Sequence, residues 1–591
     1  MTDGYENLTL VETPEKIIVH PSNHGTSDKF IVINRVTDDI ILSSNRAEIP
    51  DGDRIRTVSI GGIIGVINLV AGPYLLVVKT RVKVGQISNH VIWRMNQFEL
   101  IPFRKSLLHL SQQQVGHNKM YIEMLETALE TPSFYYSHTY DLTHNVQSLE
   151  LNSPHFFKQT LIQRAENKFM WNGSMLEVFQ RNTDFHRFCI VLLHGFVAIN
   201  NLTLNTKQFK FSIISRRSCK RPGVRLHSRG IDQDGNVSNF VETEQIVEYG
   251  SEIASYIQIR GSIPVFWAQK PNLKYKPKPT LAQSNHMEAF IKHFDEMTLR
   301  YHRVVCLNLV NQTGSESVLE KAFKECSANS LLQNVRYEAF DFHHECRNMN
   351  WDRLDILINR VSQEIEDFSY FLRSKGQQQQ QEGVFRTNCI DCLDRTNVVQ
   401  GMLAKINLNN VLKRLGILGE SEKLHRHPDV EYLFKNIWAD NGDYCSIQYS
   451  GTGALKTDYT RTGKRTWAGP LRDGYNSIVR YFKNNFLDGF RQDAIDLLLG
   501  NYRVTEDEGK TKPSPLDKER DWKYYTLPVL MIFSFVMWTM LIILPSEYTS
   551  EYLLYILFWG SMFIATGGVI YISGHEFVDK PVLTEAYRLA M

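Results

Sequence analysis

Cys389 and Arg395 stand with five residues between them in "GVFRTNCIDCLDRTNVVQG", Gly383 to Gly401. At that spacing a loop can curl so that the guanidinium forks two phosphate oxygens while the sulfur lies beneath the phosphorus. "GVF" reads as the end of a short strand, and Val399, Met402, Leu403 and Ile406 fall on one face of the helix that follows. A strand-to-helix turn aims backbone N–H groups and the positive end of the helix dipole at one point, which makes an anion site. Such surroundings favour thiolate over thiol, so Cys389 is the candidate nucleophile for in-line attack and a cysteinyl-phosphate intermediate. Arg395 and the loop amides would hold the equatorial oxygens throughout, so neither a metal nor another cofactor is expected. The Thr396 hydroxyl could ease departure of the sulfur when water hydrolyses the intermediate. The leaving alcohol needs a proton, and either Asp391 or Asp394 suits a general acid if its surroundings raise its pKa. Asn388 and Asn397 complete the loop's candidate substrate-binding residues.

Other chemistries fit less of this run. Cys389 and Cys392 form a Cys-x-x-Cys pair, yet no second matched pair exists to close a zinc site, Cys326 and Cys346 being 20 apart. A thioredoxin-like redox pair would leave Arg395 and Thr396 unexplained. His343 and His344 beside Glu345 suggest a metal pair, but adjacent residues on a strand point apart, so packing is the expectation there. An anionic head group should be met by bases. Arg216, Arg217, Lys220, Arg221, Arg225 and Arg229 place six positive charges in fourteen residues without an acid. Lys270, Lys274, Lys276 and Lys278 follow, and Lys456, Arg461, Lys464 and Arg465 form a third group. The first cluster is read as a membrane or substrate contact, and the third joins it among the candidate substrate-binding residues.

These residues need a scaffold, and 591 residues exceed what one hydrophobic core supports. Residues 1–182 are rich in short β-branched runs such as "KIIVH", "KFIVINRV", "DIILSS" and "HVIWRM", with a helical "HNKMYIEMLETALE" after them. Residues 183–505 alternate strands, "FCIVLLHGFVAI" and "RVVCLNLV", with helices, "SVLEKAFKECSANSLL" and "WDRLDILINRVSQEIEDFSYFL". The expected fold is α+β or α/β: a β-rich N-terminal domain packed on an α/β Cys-x5-Arg phosphatase domain, then a two-helix transmembrane hairpin. The glutamine run Gln377 to Gln381 reads as a solvated loop.

Net charge is +2, which argues against a general nucleic-acid binder. Eight cysteines in mostly unpaired spacing argue against a disulfide framework and for a reducing compartment, where the five sequons stay unmodified. Two charge-free runs of 23 residues, Tyr524 to Ser546 and Tyr552 to Gly574, are each long enough to cross a bilayer. The spans are placed at 526–546 and 552–573, with a linker at 506–525 and a tail at 574–591. Only "EYTSE" separates the spans, which forces a hairpin. Lys518, Arg520, Lys523, Lys580 and Arg588 flank it and the connecting loop has no Lys or Arg, so both termini should be cytosolic. Read as flexible, the 22 residues from Tyr502 to Lys523 reach roughly 25 Å on average, which favours action on the protein's own membrane.

"RTNCIDCLDRTN", Arg386 to Asn397, resembles the signature loop of the Sac-domain phosphoinositide phosphatases. The resemblance continues through "RGIDQDGNVSNFVETEQIV", "IQIRGSIPVFWAQKPNLKYKPKP", "FDFHHECRNMNWDRL" and "WADNGDYCSIQYSGTGALKTDYTRTGKRT", and covers roughly residues 1–505. It implies a magnesium-independent lipid phosphatase for monophosphorylated phosphoinositides, phosphatidylinositol 4-phosphate and also phosphatidylinositol 3-phosphate. Cys389 would be its nucleophile and Arg395 its phosphate clamp. The C-terminal hairpin resembles that of members anchored in endoplasmic reticulum and Golgi membranes. "EAYRLAM" at the C-terminus lacks a dilysine-type retrieval tail, so localisation would rest on the anchor. A protein phosphotyrosine phosphatase shares the Cys-x5-Arg logic, but the membrane spans and the Asp-bearing, Gly-free loop interior argue against it. A non-catalytic phosphoinositide-binding tether would have no need of a nucleophile.

Overall fold

Runs of β-branched residues build two sheets. The computed structural model describes residues 4–23, 29–49, 56–347, 351–374, 376–544 and 549–584. Near the N-terminus, strands Leu8–Glu12, Lys16–Pro21, Phe30–Asn34, Ile40–Ser43 and Arg56–Ile60 form an antiparallel sheet in the order fourth, third, second, first, fifth. Alternation splits their side chains between two cores: Leu10, Ile17, Val19 and Ile31 on one face, Val11, Ile18 and Val32 on the other.

The larger sheet carries the loop. Its main strands are β1 (Ile63–Leu69), β2 (Gly72–Ile87), β3 (His90–Pro102), β4 (Phe134–Tyr136), β5 (Leu193–Leu204), β6 (Lys207–Arg217), β7 (Val241–Tyr249), β8 (Glu252–Arg260), β9 (Arg303–Asn308), β10 (Val335–Ala339) and β11 (Gly383–Asn388). They lie in the order β10-β9-β11-β8-β7-β6-β5-β4-β3-β2-β1. Pairing is antiparallel from β1 to β8 and parallel among β8, β11, β9 and β10. The change of texture near residue 183 therefore falls inside one sheet. Tyr135 on β4 pairs with both Arg94 on β3 and Leu193 on β5, so hydrogen bonding runs without a break across the expected boundary.

The helices that matter for the site are α1 (Gln112–Leu129), α2 (Asp394–Arg414), α3 (Pro428–Ser450), α4 (Gly469–Phe486) and α5 (Asp488–Leu498). α2 follows β11 and is gripped from two sides. Val399 and Leu403 pack with Leu307 and Phe385, while Ala404, Leu408 and Val411 pack with Phe211, Phe434 and Trp438. Ile406, expected on the first face, is only half buried because the helix sits between two cores. The long helix read over 351–372 is broken: Leu354–Arg360 and Ser362–Phe368 are separate, and the chain then enters strand Phe371–Ser374. Of the glutamine run, Gln377–Gln379 pairs with that strand. Gln381 is buried and bonds both the N–H and the carbonyl of Ile257, so the run is not wholly a solvated loop.

The expected flexible linker is strapped down. Gln114 on α1 donates to the carbonyls of Glu506 (3.2 Å) and Glu508 (3.0 Å), and the Tyr121 and Ser514 hydroxyls donate to the Glu508 carboxylate. Asp517 accepts from Gln113 and pairs with His117, each at 2.8 Å. The segment's polarity, which reads as solvation in the sequence, is matched by the polar face of α1. Beyond it lie α6 (Trp522–Ile543) and α7 (Ser550–Ile572), two helices long and apolar enough to cross a membrane. They pack side by side through Trp538 stacked with Phe563 and expose most of their remaining apolar surface. The chain then returns to the body: Asp493 on α5 accepts the N–H groups of Val582 and Leu583, and Asp579 accepts from Arg520. The C-terminal "EAYRLAM" lies outside the described residues.

Candidate active site

β8, β9 and β11 run parallel, so their C-terminal ends, Arg260, Asn308 and Asn388, meet at one edge. The loop leaves the sheet there and turns into α2, whose first residue is Asp394. Cys389 is buried at the turn and borders a cavity of about 430 Å³, whose walls include Asp394, Arg395, Asn397, His343, Lys456 and Arg480. Cys392 has a different place. Its backbone is left-handed (φ 54°), and its thiol donates to the carbonyls of Gly261 (3.0 Å) and Cys389 (3.3 Å). Burial pushes that thiol up to about 12, which makes it a neutral strut of the loop.

The pKa values of the two loop aspartates are pushed in opposite directions. Asp391 accepts from Arg225 Nε (3.0 Å) and Arg229 Nη2 (2.6 Å). Burial alone would raise its pKa, but the two guanidiniums outweigh that and hold it well below the usual carboxylate range. Arg229 is in turn aimed by Gln269 (2.6 Å) and the Ile390 carbonyl (2.9 Å). Gly230, next in the chain, sits at φ 63° with the Val265 carbonyl 2.5 Å from where a Cβ would lie, so only glycine fits there. Asp391 is therefore a fixed anion and cannot supply a proton near neutral pH, a correction to its place as a candidate acid. Asp394 is the other case. Burial raises its pKa, opposed by Arg480 and by the Leu455 N–H that donates to Oδ1 at 2.9 Å.

Asp391 also ties stability to pH. Because its folded-state pKa is depressed, its contribution is present above the ordinary carboxylate pKa and is lost as pH falls towards the folded value. Asp391→Asn should lower unfolding free energy by about 3 kcal/mol at pH 7, since it leaves buried Arg229 without its anion, and by less in acid. Denaturant titrations of both proteins at pH 7 and at about pH 2, below the ordinary carboxylate pKa, measure this. An equal loss at both values would show that the charge is not what matters.

Arg395 lies on the cavity wall but is already engaged by an acid. It forms a forked pair with Glu316 (Nη1–Oε2 3.0 Å, Nη2–Oε1 3.1 Å) and donates to the Leu309 carbonyl at 3.0 Å. Glu316 lies 79 residues upstream, and nothing in the sequence connects the two. Thr396 is fully buried, and its hydroxyl has no hydrogen-bond partner among the described residues. Asn388 is buried beneath the loop, donating to Asn308 at 2.6 Å, while Asn397 reaches the cavity wall and donates to the Trp438 carbonyl at 2.8 Å.

The first basic cluster is not a surface patch. Arg216 is fully buried and pairs with Glu242 (3.0 Å) and Glu244 (2.6 Å); buried Arg217 donates to the Gly223 carbonyl. The acids that neutralise Arg216 stand on β7, the neighbouring strand, where a sequence window centred on the arginines does not look. Arg221 donates to the Arg229 carbonyl, and exposed Lys220 lies beside it on a different concavity. In the third cluster, Arg461 pairs with Asp440 (2.6 Å) and Asp443 (3.1 Å), and Arg465 pairs with Asp458 and Asp473. Lys464 is exposed away from the cavity wall, which Lys456 reaches together with Lys274 and Lys276. His343 was expected as packing on a strand. It stands instead on the one-turn helix Phe342–Glu345, bonds Asn311 Oδ1 at 2.8 Å and lines the cavity, while His344 turns out to solvent.

The SacI homology domain matches residues 61–347 of this chain. A zebrafish (Danio rerio) protein named phosphatidylinositol-3-phosphatase SAC1-B is 46% identical over 592 residues, covering 100% of both chains. The chain belongs to the Sac phosphoinositide phosphatase family. Its likeness extends to phosphatidylinositol-3-phosphatase SAC1 of Drosophila melanogaster, 42% identical over 98% of this chain and 97% of the relative. The protein of the same name from Saccharomyces cerevisiae is 34% identical over 90% of this chain and 86% of its own. This Sac protein is accordingly a phosphoinositide phosphatase with two C-terminal helices suited to a membrane.

Proposed function

We propose that this Sac phosphatase hydrolyses the phosphomonoester of phosphatidylinositol 4-phosphate, and also of phosphatidylinositol 3-phosphate, through a cysteinyl phosphate on Cys389. The observation that carries the reading is that Cys389, Asp394 and Arg395 open onto one cavity at the N-terminus of a rigidly held helix. Cys389 Sγ attacks phosphorus as the bond to the inositol oxygen breaks, and Asp394 delivers its proton to that oxygen. Water then attacks phosphorus, gives its proton to the Asp394 carboxylate, and releases inorganic phosphate and the thiolate. For the clamp role Arg395 exchanges Glu316 for phosphate, a dianion that offers the same forked acceptor geometry. The Asp391 anion, already neutralised by two arginines, shapes the loop and leaves the phosphate to Arg395 and the amides.

Release of phosphate from a panel of phosphoinositides in detergent micelles with a chelator present tests this reading. Turnover should be fastest with the 4-phosphate, measurable with the 3-phosphate and poor with bisphosphates. No release from either monophosphate would overturn it.

The distribution of Lys and Arg around the hairpin supports cytosolic termini, and we place the protein in the endoplasmic reticulum membrane and the Golgi. Its reach is short. Only residues 518–521 separate Asp517, bonded to α1, from the start of α6, a stretch of at most about 14 Å. The enzyme should therefore act in cis. Reconstituted in vesicles, it should hydrolyse substrate in its own bilayer at least about tenfold faster than substrate confined to tethered partner vesicles. Comparable rates would exclude the preference.

A further inference from the structure

Helix α4 has two unlike faces. One is mounted on the protein: buried Arg480 donates to Thr452 Oγ1 (2.9 Å), Ser446 Oγ (3.1 Å) and the Gly453 carbonyl (2.8 Å), and the Tyr481 hydroxyl donates to the Leu273 carbonyl (2.7 Å). The other face is apolar and bare. Leu471, Tyr475, Ile478 and Phe482, at helical spacing, are 53–71% exposed, and Trp467 just ahead of the helix is 86% exposed. Large apolar side chains in a continuous stripe on a rigid helix cost free energy in water, and such a stripe marks a surface meant to be covered.

What covers it follows from where the helix ends. The N–H of Asp579 donates to the carbonyl of Asn485 at the C-terminal end of α4 (2.6 Å), seven residues after α7 ends at Ile572, and Asp579 also holds Arg520, two residues before α6 begins. The end of α4 is thus tied to the point where both membrane helices join the body. The loop at 272–276 makes the same connection: Leu273 N–H donates to Asn485 Oδ1 (3.3 Å), and Lys274 Nζ lies 5.8 Å from the centroid of the Tyr571 ring near the end of α7. From that junction α4 extends roughly 27 Å at 1.5 Å per residue. Exposed Arg472 stands on α4 itself and exposed Lys274 and Lys276 line the same cavity as the helix, a charge pattern suited to anionic head groups. The helix also forms one wall of the catalytic cavity through Ser477, Arg480 and Tyr481.

We infer that the Leu471–Tyr475–Ile478–Phe482 face of α4, with Trp467, lies in the head-group boundary of the bilayer that α6 and α7 cross, and holds the cavity mouth against that lipid surface. The apolar stripe enters the interface in the manner of an in-plane amphipathic helix, Trp467 and Tyr475 sit at head-group depth, and the lysines pair with anionic lipid. A lipid head group then enters the cavity without leaving its membrane.

The test uses full-length protein in phosphatidylcholine and phosphatidylserine vesicles. A spin label is placed by Ile478→Cys or, for comparison, by Lys324→Cys, in a Cys219→Ser/Cys389→Ser background, because Cys219 is the one native thiol that is not buried and Cys389 opens onto the cavity. The ratio of collisions with lipid-soluble oxygen to collisions with a water-soluble nickel complex should be at least about threefold higher at 478 than at 324. Water-like accessibility at 478 overturns the inference. In a second arm, Leu471→Ser/Ile478→Ser/Phe482→Ser should lose about tenfold or more in turnover of vesicle-embedded substrate while staying within about twofold on a water-soluble short-chain phosphoinositide. Equal loss on both substrates also overturns it. The activity arm rests on the proposed lipid phosphatase reaction, whereas the label arm does not, so failure of one reading is distinguishable from failure of the other.

Discussion

Cys389→Ser should abolish turnover, by roughly 10⁴-fold or more, while phosphoinositide binding survives. The hydroxyl keeps the packing of a buried side chain at the end of β11, but it is a far weaker nucleophile than sulfur for an in-line attack. Binding is retained because the loop amides, Lys456 and the start of α2 are untouched. Phosphate release and vesicle co-sedimentation measure the two quantities separately. Residual activity above about a tenth of wild type would rule out the covalent route. Cys392→Ser serves as the contrast. Its thiol bridges two carbonyls, a hydrogen bond that serine can also donate, so the change should act on stability and leave the chemistry largely intact. Arg395→Lys should fall near the severe end, because a point charge replaces neither the fork on phosphate nor the forked pair with Glu316.

Asp394→Asn should lose about 10²- to 10⁴-fold on a phosphoinositide and about tenfold or less on an aryl phosphate, whose acidic phenol departs without a proton. Burial raises the Asp394 pKa and so favours the protonated form that a general acid needs. Turnover of the lipid is supported below that raised pKa and declines as pH rises through it, and this alkaline limb should vanish in the Asn variant. Asp391→Asn should show no such dependence on the leaving group, because its carboxylate is pinned in the ionised state by Arg225 and Arg229. Equal losses on both substrates for Asp394→Asn would place the acid elsewhere, and His343, on the cavity wall, is the next side chain to test.

Local pattern determined a good deal. The β-branched runs, the strand at Gly383–Asn388, the helix behind the loop and the two long apolar helices each carry a periodicity or composition written in consecutive residues, so local pattern reveals them. The candidate nucleophile and the Cys-x5-Arg spacing belong to the same class, since one short loop holds them. The tertiary structure alone decided what each charge does. Asp391 and Asp394 are three positions apart and equivalent on paper; Arg225 and Arg229, some 160 residues upstream, make one a fixed anion, and burial favours the proton on the other. Arg216 looked like membrane contact until β7 brought Glu242 and Glu244 against it. The linker looked mobile until α1 supplied partners for its carbonyls and acids. The physical reason is common to these cases. Apolar burial follows a period that the chain writes locally, whereas the state of a charge depends on the few groups within about 4 Å of it, and folding brings those from anywhere in the sequence.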